Sequence, residues 1–297
     1  MNDLTLQCPL PQTDYQQVLL AHGGGGRLMQ QLLGDVFFHA FDNELLRQRH
    51  DASVFAVGGQ RLAFTTDGYV VDPIFFPGGS IGDLAVHGTV NDLAMAGARP
   101  LYLSAGFIIE EGFPVADLQR VVGDMAGAAA AAGVRIITGD TKVVNRGKAD
   151  GVFITTAGVG VFEHDLSISP SSVQPGDAII LSGDIARHGI AIMSVREGLE
   201  FGAPLITDCA PLNGLVAAML AHAPAIHALL EQVGWLPRNV QLLGVAVGPG
   251  SFTGLRVGVT TAKVFAYAVG ADLLCISALE AIAAAAPDDV AELSAVI

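Results

Sequence analysis

The chain has 297 residues, of which 51% are hydrophobic and 15% charged, so it can bury a sizeable core and intrinsic disorder is excluded. The 29 acidic residues outnumber the 15 Lys and Arg residues, and the net charge of -14 disfavours direct nucleic-acid binding because it repels phosphate backbones. The length predicts about two domains, and the 36 glycines beside few aromatic residues favour an α/β fold.

The first elements follow from hydrophobic spacing and turn residues. Ser80 and Asp83 have the spacing of a capping box, which predicts a helix that ends before Pro100. Strands and helices mix without strict alternation, so we expect a mixed sheet with helices on one face. The predicted elements up to residue 162 are strand 18–21, helix 29–41, strands 62–66 and 69–76, the Ser80 helix, strand 101–109, helix 117–132, and strands 134–138 and 152–162.

A second unit is predicted after a turn at 174–176. Its expected elements are strand 178–183, helices 190–199 and 212–231, strand 240–248, a helix reaching about residue 270, strand 272–277 and a final Ala-rich helix. The Gly-rich loop 248–256 (GPGSFTGLR) carries no lysine, metal ligand or acid/base pair, so we interpret it as structural or interfacial.

Four glycines, Gly23 to Gly26, separate the first predicted strand from the first predicted helix. Glycines there can direct backbone N–H groups at an anion by the helix N-terminus, which makes the run a candidate phosphate nest. The alternative is a flexible turn, since the run is neither a Walker loop nor a dinucleotide fingerprint.

Three carboxylates lie at the ends of predicted elements or within an apolar helix: Asp67, Asp92 and Asp140. Burying them is costly unless a cation compensates their charge, and Mg²⁺ suits such hard oxygen ligands. The alternative is that Asp67 and Asp140 are turn or capping residues, while Asn91 and Asp92 face solvent.

Two basic residues have open roles. Lys142 can place a positive charge near a phosphate or a reacting carbonyl group, or it is an ordinary surface lysine. His188 precedes a predicted helix and is either a turn or capping residue or a base.

The three cysteines, Cys8, Cys209 and Cys275, have the spacing of neither a disulfide framework nor a zinc site, which favours a cytoplasmic location. The first residues lack the basic start and apolar run of a signal peptide. The apolar run 209–230 is interrupted by proline and histidine, so no membrane span is predicted.

These motifs together carry a resemblance over about residues 20–229. The runs AHGGGGRLMQQLL, FTTDGYVVDPIFFPGGSIGDLAVHGTVNDLAMAGARP, GFIIEEG and ITGDTKVVNRG resemble the hydrogenase maturation family HypE, of the aminoimidazole ribonucleotide synthetase and selenophosphate synthetase superfamily. The resemblance implies a PurM-like first domain whose dimer forms a shared β-barrel, followed by a second α/β domain. It also implies that ATP and Mg²⁺ are bound.

The resemblance also implies roles for particular residues. Asp67, Asp92 and Asp140 would hold Mg²⁺, and Lys142 would act with Asp92 at the reacting carbamoyl group. The nucleotide contacts that it implies are Gly23, Gly24, Gly25, Gly26, Thr66, Asn91 and Asp140.

The implied reaction is ATP-dependent dehydration of an S-carbamoyl group on a carboxy-terminal cysteine to thiocyanate, which supplies the cyanide ligands of [NiFe]-hydrogenase. Implied partners are a second copy of the chain, a HypF-like carbamoyl donor and a HypC/HypD-like acceptor complex.

Residues from about 232 to 297 depart from this family. They lack its Asp-Ala-Thr-Arg-Gly-Gly segment and its terminal Pro-Arg-Ile-Cys, and instead VAVGPGSFTGLRVGVTTAKVFAYAVGADLLCISALEAIA resembles TsaB, a partner in tRNA threonylcarbamoyladenosine modification. We therefore expect impaired dehydration, unless Cys8, Cys209 or Cys275 replaces the terminal thiol.

Two other interpretations stay open: a non-catalytic partner of TsaD, and a chimeric gene product. The predicted division of the chain is an arm at 1–19, a PurM-like domain at 20–165, a truncated second α/β domain at 166–231 and a β-α-β-α segment at 232–297 that completes it.

Overall fold

The structure is a computed structural model. It describes residues 16–173, 186–199, 201–202, 205–232, 234, 242–247 and 272–277, without the side chains of 222–230, 242–247 and 272–277. The chain divides into two compact units, Met1–Arg49 and His50–Ile297. The division falls inside the predicted PurM-like domain at 20–165, and the three boundaries between the four predicted segments stay predictions.

The first unit is helical where it is described. The strand predicted at 18–21 is wrong, because Leu20–Gly23 forms a 3₁₀ helix. The Leu19 amide donates to Nδ1 of His22 at 3.0 Å, which closes a local turn. The predicted helix is confirmed: α1 (Arg27–Leu32) continues through a π-helical stretch (Leu33–Phe38) into α2 (His39–Phe41).

A five-stranded mixed sheet forms the centre of the second unit, in the order β1-β2-β7-β5-β6. Within this sheet only the pair β5–β6 is parallel. The strands are β1 (Ser53–Val57), β2 (Gln60–Tyr69), β5 (Arg99–Glu110), β6 (Arg135–Val144) and β7 (Val152–Val161).

Around β2 the structure contains one strand that the sequence did not predict and shortens one that it did. Strand β1 was not predicted, although Gly58 and Gly59 both have the positive φ of a tight hairpin turn. The predicted strand 69–76 is reduced to β3 (Phe75–Phe76), which pairs with β4 (Gly79–Ser80). Pro73 lacks the N–H that a continuous strand needs.

Two helices cover one face of this sheet, as predicted: α3 (Ile81–Met95) and α4 (Val115–Ala132). The predicted capping box begins α3, since the Ser80 amide donates to Asp83 Oδ2 at 2.9 Å and the Gly82 amide to Ser80 Oγ at 3.2 Å. The two helices pack so closely at Gly82 that a Cβ there would lie 2.4 Å from the Val121 carbonyl oxygen. Residues that are essentially inaccessible in this core include Ile81, Val86, Val90, Leu103, Val121 and Ile154.

The other face of the sheet is uncovered within the described part of the chain. Phe64 and Ile108 lie on it and are 47% and 42% exposed. Five strands of one chain form an open sheet, so the closed barrel implied by the resemblance is not made by a single copy.

Later elements are α5 (Arg187–Arg196), α6 (Asn213–Gln232), β8 (Leu242–Val247) and β9 (Asp272–Ser277). The predicted strands near 240–248 and 272–277 are confirmed, and they pair in parallel. The turn 174–176, strand 178–183, loop 248–256, the two helices predicted after that loop, and Cys8 lie outside the described residues. Of the helices that are described, none has the length and apolar character needed to span a bilayer.

Candidate functional site

Two of the predicted carboxylates come close together where β2 lies against α3. Thr65, on β2, is buried, and its hydroxyl lies 3.1 Å from Asp92 Oδ2 and 2.9 Å from the carbonyl oxygen of Asp51. Burial and the neighbouring negative charge of Asp67 raise the pKa of Asp92 to about 6. The raised pKa indicates two carboxylates that repel each other in a partly dry environment.

Asp67 is held from the same strand. The Tyr69 hydroxyl donates to Asp67 Oδ2 at 3.1 Å, and Tyr69 itself is buried. No ion pair to Asp67 or Asp92 occurs among the residues that the structure describes. Two adjacent carboxylates with no cation of their own are a donor set that fits Mg²⁺.

Asp51 adds to this negative charge and was not among the predicted site residues. Its charge also raises the pKa of Asp92, more weakly than burial and Asp67 do. Asp51 lies just before β1, the strand that the sequence analysis missed. Recognising the Gly58-Gly59 hairpin would have placed Asp51 near Thr65.

The third predicted carboxylate, Asp140, lies elsewhere. It is on the edge strand β6, with an exposed side chain 3.1 Å from Lys142 Nζ, and this lysine lowers its pKa. Strand pairing places Asp140 beside Gly106, then Thr155, then Gly68. Three spacings of about 4.8 Å put Asp140 roughly 14 Å from β2.

A single chain therefore does not bring Asp140 to Asp67 and Asp92. In the described ranges, no group of three or more His, Cys, Asp or Glu side chains is arranged to hold a metal ion. The resemblance implies that all three carboxylates hold one ion, but strand order, which sets the distance between them, cannot be predicted from single residues.

Two other predicted nucleotide contacts have backbone partners. The Thr66 hydroxyl donates to the Thr156 carbonyl oxygen at 3.2 Å. The Asn91 side-chain amide donates to the Ala210 carbonyl oxygen at 3.0 Å and accepts from the Leu212 amide at 2.7 Å. Asn91 therefore ties the chain before α6 to α3, and its role as a nucleotide contact stays a prediction.

The glycine run lies in the first unit, directly before α1, as the phosphate-nest hypothesis requires. Gly26 is the residue that precedes the helix, and Gly25 has a φ of 72°. A Cβ on Gly23, Gly25 or Gly26 would meet no atom within 4 Å, so this backbone is open to close approach. The phosphate role of Gly23 to Gly26 stays a prediction.

His188 and Cys209 have local structural partners. The His188 amide donates to Asp208 Oδ1 at 2.9 Å, and its ring Nδ1 lies 3.0 Å from Thr207 Oγ1. Cys209 Sγ lies 3.4 Å from Nδ1 of His87, and burial raises the pKa of this thiol to about 11. A protonated, half-buried thiol is a poor nucleophile, so Cys209 is a poor replacement for the terminal cysteine.

A cavity of about 430 Å³ lies away from the carboxylates. It lies between α6 and the chain from Gly97 to Pro100, and its rim carries the Arg99–Glu163 ion pair at 2.8 Å. None of the predicted site residues lines it.

Comparison with known proteins supports the resemblance to HypE, which covers about residues 20–229. Residues 49–162 match the family described as AIR synthase related protein, N-terminal domain. The chain is 60% identical over 212 residues to carbamoyl dehydratase HypE of Rhizobium leguminosarum bv. viciae, covering 71% of this chain and 61% of that protein. The chain therefore spans about three fifths of that curated relative.

Solved structures of HypE also match this chain. The chain matches a crystal structure of a HypE–HypF complex with a TM-score of 0.61 and 51% identity, covering 64% of this chain and 61% of the other. It matches HypE in complex with ATP with a TM-score of 0.53 and 51% identity, over 69% and 61% of the two chains. The predicted mixed α/β, PurM-like fold and the similarity to HypE are confirmed.

The carboxy-terminal region matches a different family. Residues 220–294 match the family described as TsaD, tRNA N6-adenosine threonylcarbamoyltransferase. A second resemblance in this region was predicted and is confirmed, although the matching family is TsaD. The specific likeness to TsaB stays a prediction.

Proposed function

We propose that the second unit contains the magnesium–ATP site of a HypE-type carbamoyl dehydratase, which acts in hydrogenase maturation. The observation behind the proposal is the pair Asp67 and Asp92, two interacting carboxylates without a cation. A protein that is 51% identical over the matched region was solved with ATP. The match covers about three fifths of the HypE relative, so we also propose, by similarity, that this chain has the dehydratase activity of full-length HypE.

In this proposal Asp67 and Asp92 hold the ion, and Asp51 adds to the negative potential. The ion would neutralise charge on the triphosphate, and the protein would bind and orient it. Thr66 and Asn91 remain proposed nucleotide contacts, and Lys142 remains the proposed cation near the carbamoyl group. The phosphate role of Gly23 to Gly26, which lie in the first unit, stays a separate prediction. The carbamoyl oxygen would accept the γ-phosphoryl group of ATP and leave within inorganic phosphate, the carbamoyl nitrogen would lose its two protons, and ADP and the thiocyanate would remain.

The matched variants Asp92→Asn and Asp165→Asn test the site. Each removes one carboxylate charge, and Asp165 is an exposed residue outside the site. Calorimetric titration with ATP in Mg²⁺ should show affinity reduced by about 100-fold or more for Asp92→Asn, because a metal ligand is lost. Asp165→Asn should bind as the wild type does. Equal affinity for the wild type and Asp92→Asn would reject the assignment.

We also propose that a second copy of the chain completes this site. β1 pairs with Gln60–Phe64, so among the described residues the edge of β2 at 65–69, which includes Asp67, has no strand partner. All of β6 except its last residue is exposed, and it forms the other edge of the sheet. Placing the β6 of a second copy along 65–69 would close the open sheet face and bring Asp140 of the partner subunit to Asp67.

Mixed dimers test this arrangement. Asp67→Asn and Asp140→Asn should each lose Mg²⁺-dependent ATP binding as pure proteins. After unfolding and refolding together in equal amounts, half of the dimers are mixed and each mixed dimer has one intact site, so about one quarter of all sites should return. No recovery, with mixed dimers shown by mass spectrometry to be present, would reject the completion of the site by Asp140 of the partner subunit.

The proposed partners include a HypF-like carbamoyl donor, supported by the similarity to HypE in a HypE–HypF complex. A HypC/HypD-like acceptor complex, a cytoplasmic location and impaired thiocyanate formation stay predictions.

The second candidate function is that of a TsaD-binding or TsaD-related protein, which the match of residues 220–294 favours. Binding to purified TsaD discriminates the candidates, because only this function requires a stable complex. Under the first proposal, no complex should be retained on a column carrying TsaD. Retention of the wild type, and its loss after removal of residues 232–297, would favour the second candidate.

A further inference from the structure

A chain of hydroxyl groups runs from Asp67 into the core. The Tyr69 hydroxyl contacts Asp67 Oδ2 and Thr89 Oγ1, each at 3.1 Å. Thr89 Oγ1 lies 2.5 Å from Thr156 Oγ1, which donates to the Ala85 carbonyl oxygen at 2.8 Å. All three hydroxyl-bearing residues are buried.

The direction of these hydrogen bonds follows from counting protons. Thr156 uses its proton on Ala85, so Thr89 must donate to Thr156. Thr89 then has no proton left for Tyr69, and the phenol proton can go to Thr89 or to Asp67. An ionised carboxylate is the stronger acceptor, so the phenol proton points to Asp67.

The Tyr69 ring is itself fixed against α3. A Cβ on Gly88 would lie 2.3 Å from the Tyr69 hydroxyl and 3.0 Å from two ring atoms, so only glycine leaves room for the ring. Tyr69 thereby connects Asp67, whose side chain is exposed on a strand, to the helix that carries Asp92. Both carboxylates are then held relative to one rigid element.

We infer that Tyr69 is a positioning residue for the magnesium–ATP site: its hydroxyl fixes the Asp67 carboxylate in the orientation in which Asp67 and Asp92 bind one cation. The inference rests on the proposed function. Tyr69 touches neither nucleotide nor metal in this role, and it acts through Asp67. Groups that orient a metal ligand commonly contribute 10- to 100-fold to metal affinity.

The test compares Tyr69→Phe with Tyr102→Phe. Both variants lose only a phenol hydroxyl, and Tyr69→Phe would keep the aromatic ring over Gly88. The Tyr102 hydroxyl accepts from the exposed Arg135 guanidinium at 3.2 Å, outside the carboxylate pair. ATP binding to the full chain is measured by calorimetry across a Mg²⁺ titration and again in EDTA, together with thermal unfolding.

For Tyr69→Phe we expect the Mg²⁺ concentration that gives half-maximal ATP affinity to rise about 10-fold. ATP binding in EDTA should stay within about twofold of the wild type, and Tyr102→Phe should change neither quantity. A purely structural role would instead lower the unfolding temperature and weaken both kinds of binding in proportion.

The outcomes separate the two claims. If the wild type shows Mg²⁺-dependent ATP binding and Tyr69→Phe has the same Mg²⁺ dependence, the role of Tyr69 is rejected and the proposed function stands. If the wild type shows no Mg²⁺-dependent ATP binding, the proposed function is rejected, and the role of Tyr69 with it.

Discussion

Aspartates on two strands of the central sheet, β2 and β6, lie in opposite environments. Where β2 lies against α3, the described partners of Asp67 and Asp92 are hydroxyl donors, and burial and like charge raise the pKa of Asp92 to about 6. At β6, Asp140 is exposed and paired with Lys142, which lowers its pKa. The second arrangement carries its own cation, whereas in the proposed function a bound Mg²⁺ supplies the cation of the first.

This contrast distinguishes the candidate site at Asp67 and Asp92 from the solvated ion pair of Asp140 and Lys142. An exposed ion pair contributes little to stability, so the pair at β6 needs no function to explain it within one chain. Partly buried carboxylates that repel each other destabilise the free protein, and such a cost is typical of functional sites. The function therefore has its strongest physical support at β2.

The largest expected stability effect comes from filling the space beneath Tyr69. Gly88→Ala places a Cβ where the Tyr69 ring lies, and this should lower the free energy of unfolding by about 1–3 kcal/mol through overpacking. Gly127→Ala, on α4 with nothing within 4 Å of its Cβ, should instead stabilise the protein by up to about 1 kcal/mol. Urea denaturation of both variants checks this, and equal effects would show that Tyr69 is not held against α3.

A smaller effect is expected from pH, and its sign sharpens the contrast. In the folded, metal-free protein the pKa of Asp92 is about 6, above its usual 3.8, so between these values the native state holds more protons than the unfolded state. The stabilisation is present below about pH 4 and is lost as the pH rises through 6. After allowance for the partial exposure of Asp92, the loss should be about 1 kcal/mol.

Urea unfolding in EDTA at pH 4.5 and pH 7.5 measures this loss. The wild type should lose about 1 kcal/mol more than Asp92→Asn does between the two values. Asp165→Asn serves as the charge-matched reference. A wild type and an Asp92→Asn variant with parallel pH profiles would show that the environment of Asp92 does not strain the protein.

Much of the fold could be predicted from local signals. The Ser80–Asp83 capping box and the apolar spacing of α4 predicted both helices of the core. Runs rich in β-branched and aromatic residues predicted β5 and β7. The failures were local as well. A strand was predicted at 18–21, where a turn around His22 forms, and β1 was missed because five residues before a glycine turn give a weak pattern.

The candidate site was predictable only in part. Asp67 and Asp92 were predicted because carboxylates at the end of a strand and within an apolar helix are unusual, and the negative charge of Asp67 acts on Asp92. Asp140 has the same local context but lies three strands away, since the strand order β2-β7-β5-β6 is a tertiary property. The hydroxyls of Thr65 and Tyr69 gave no signal of their own, because Thr and Tyr are common in any strand.

The most direct measurement is a crystal structure of the full chain grown with Mn²⁺ and a non-hydrolysable ATP analogue, with the metal located by anomalous scattering. The anomalous peak should lie about 2.0–2.3 Å from carboxylate oxygens of both Asp67 and Asp92, with the phosphates on the same ion. A peak bound by neither carboxylate, or a nucleotide bound away from β2 and α3, would mean that this pair is not the magnesium–ATP site.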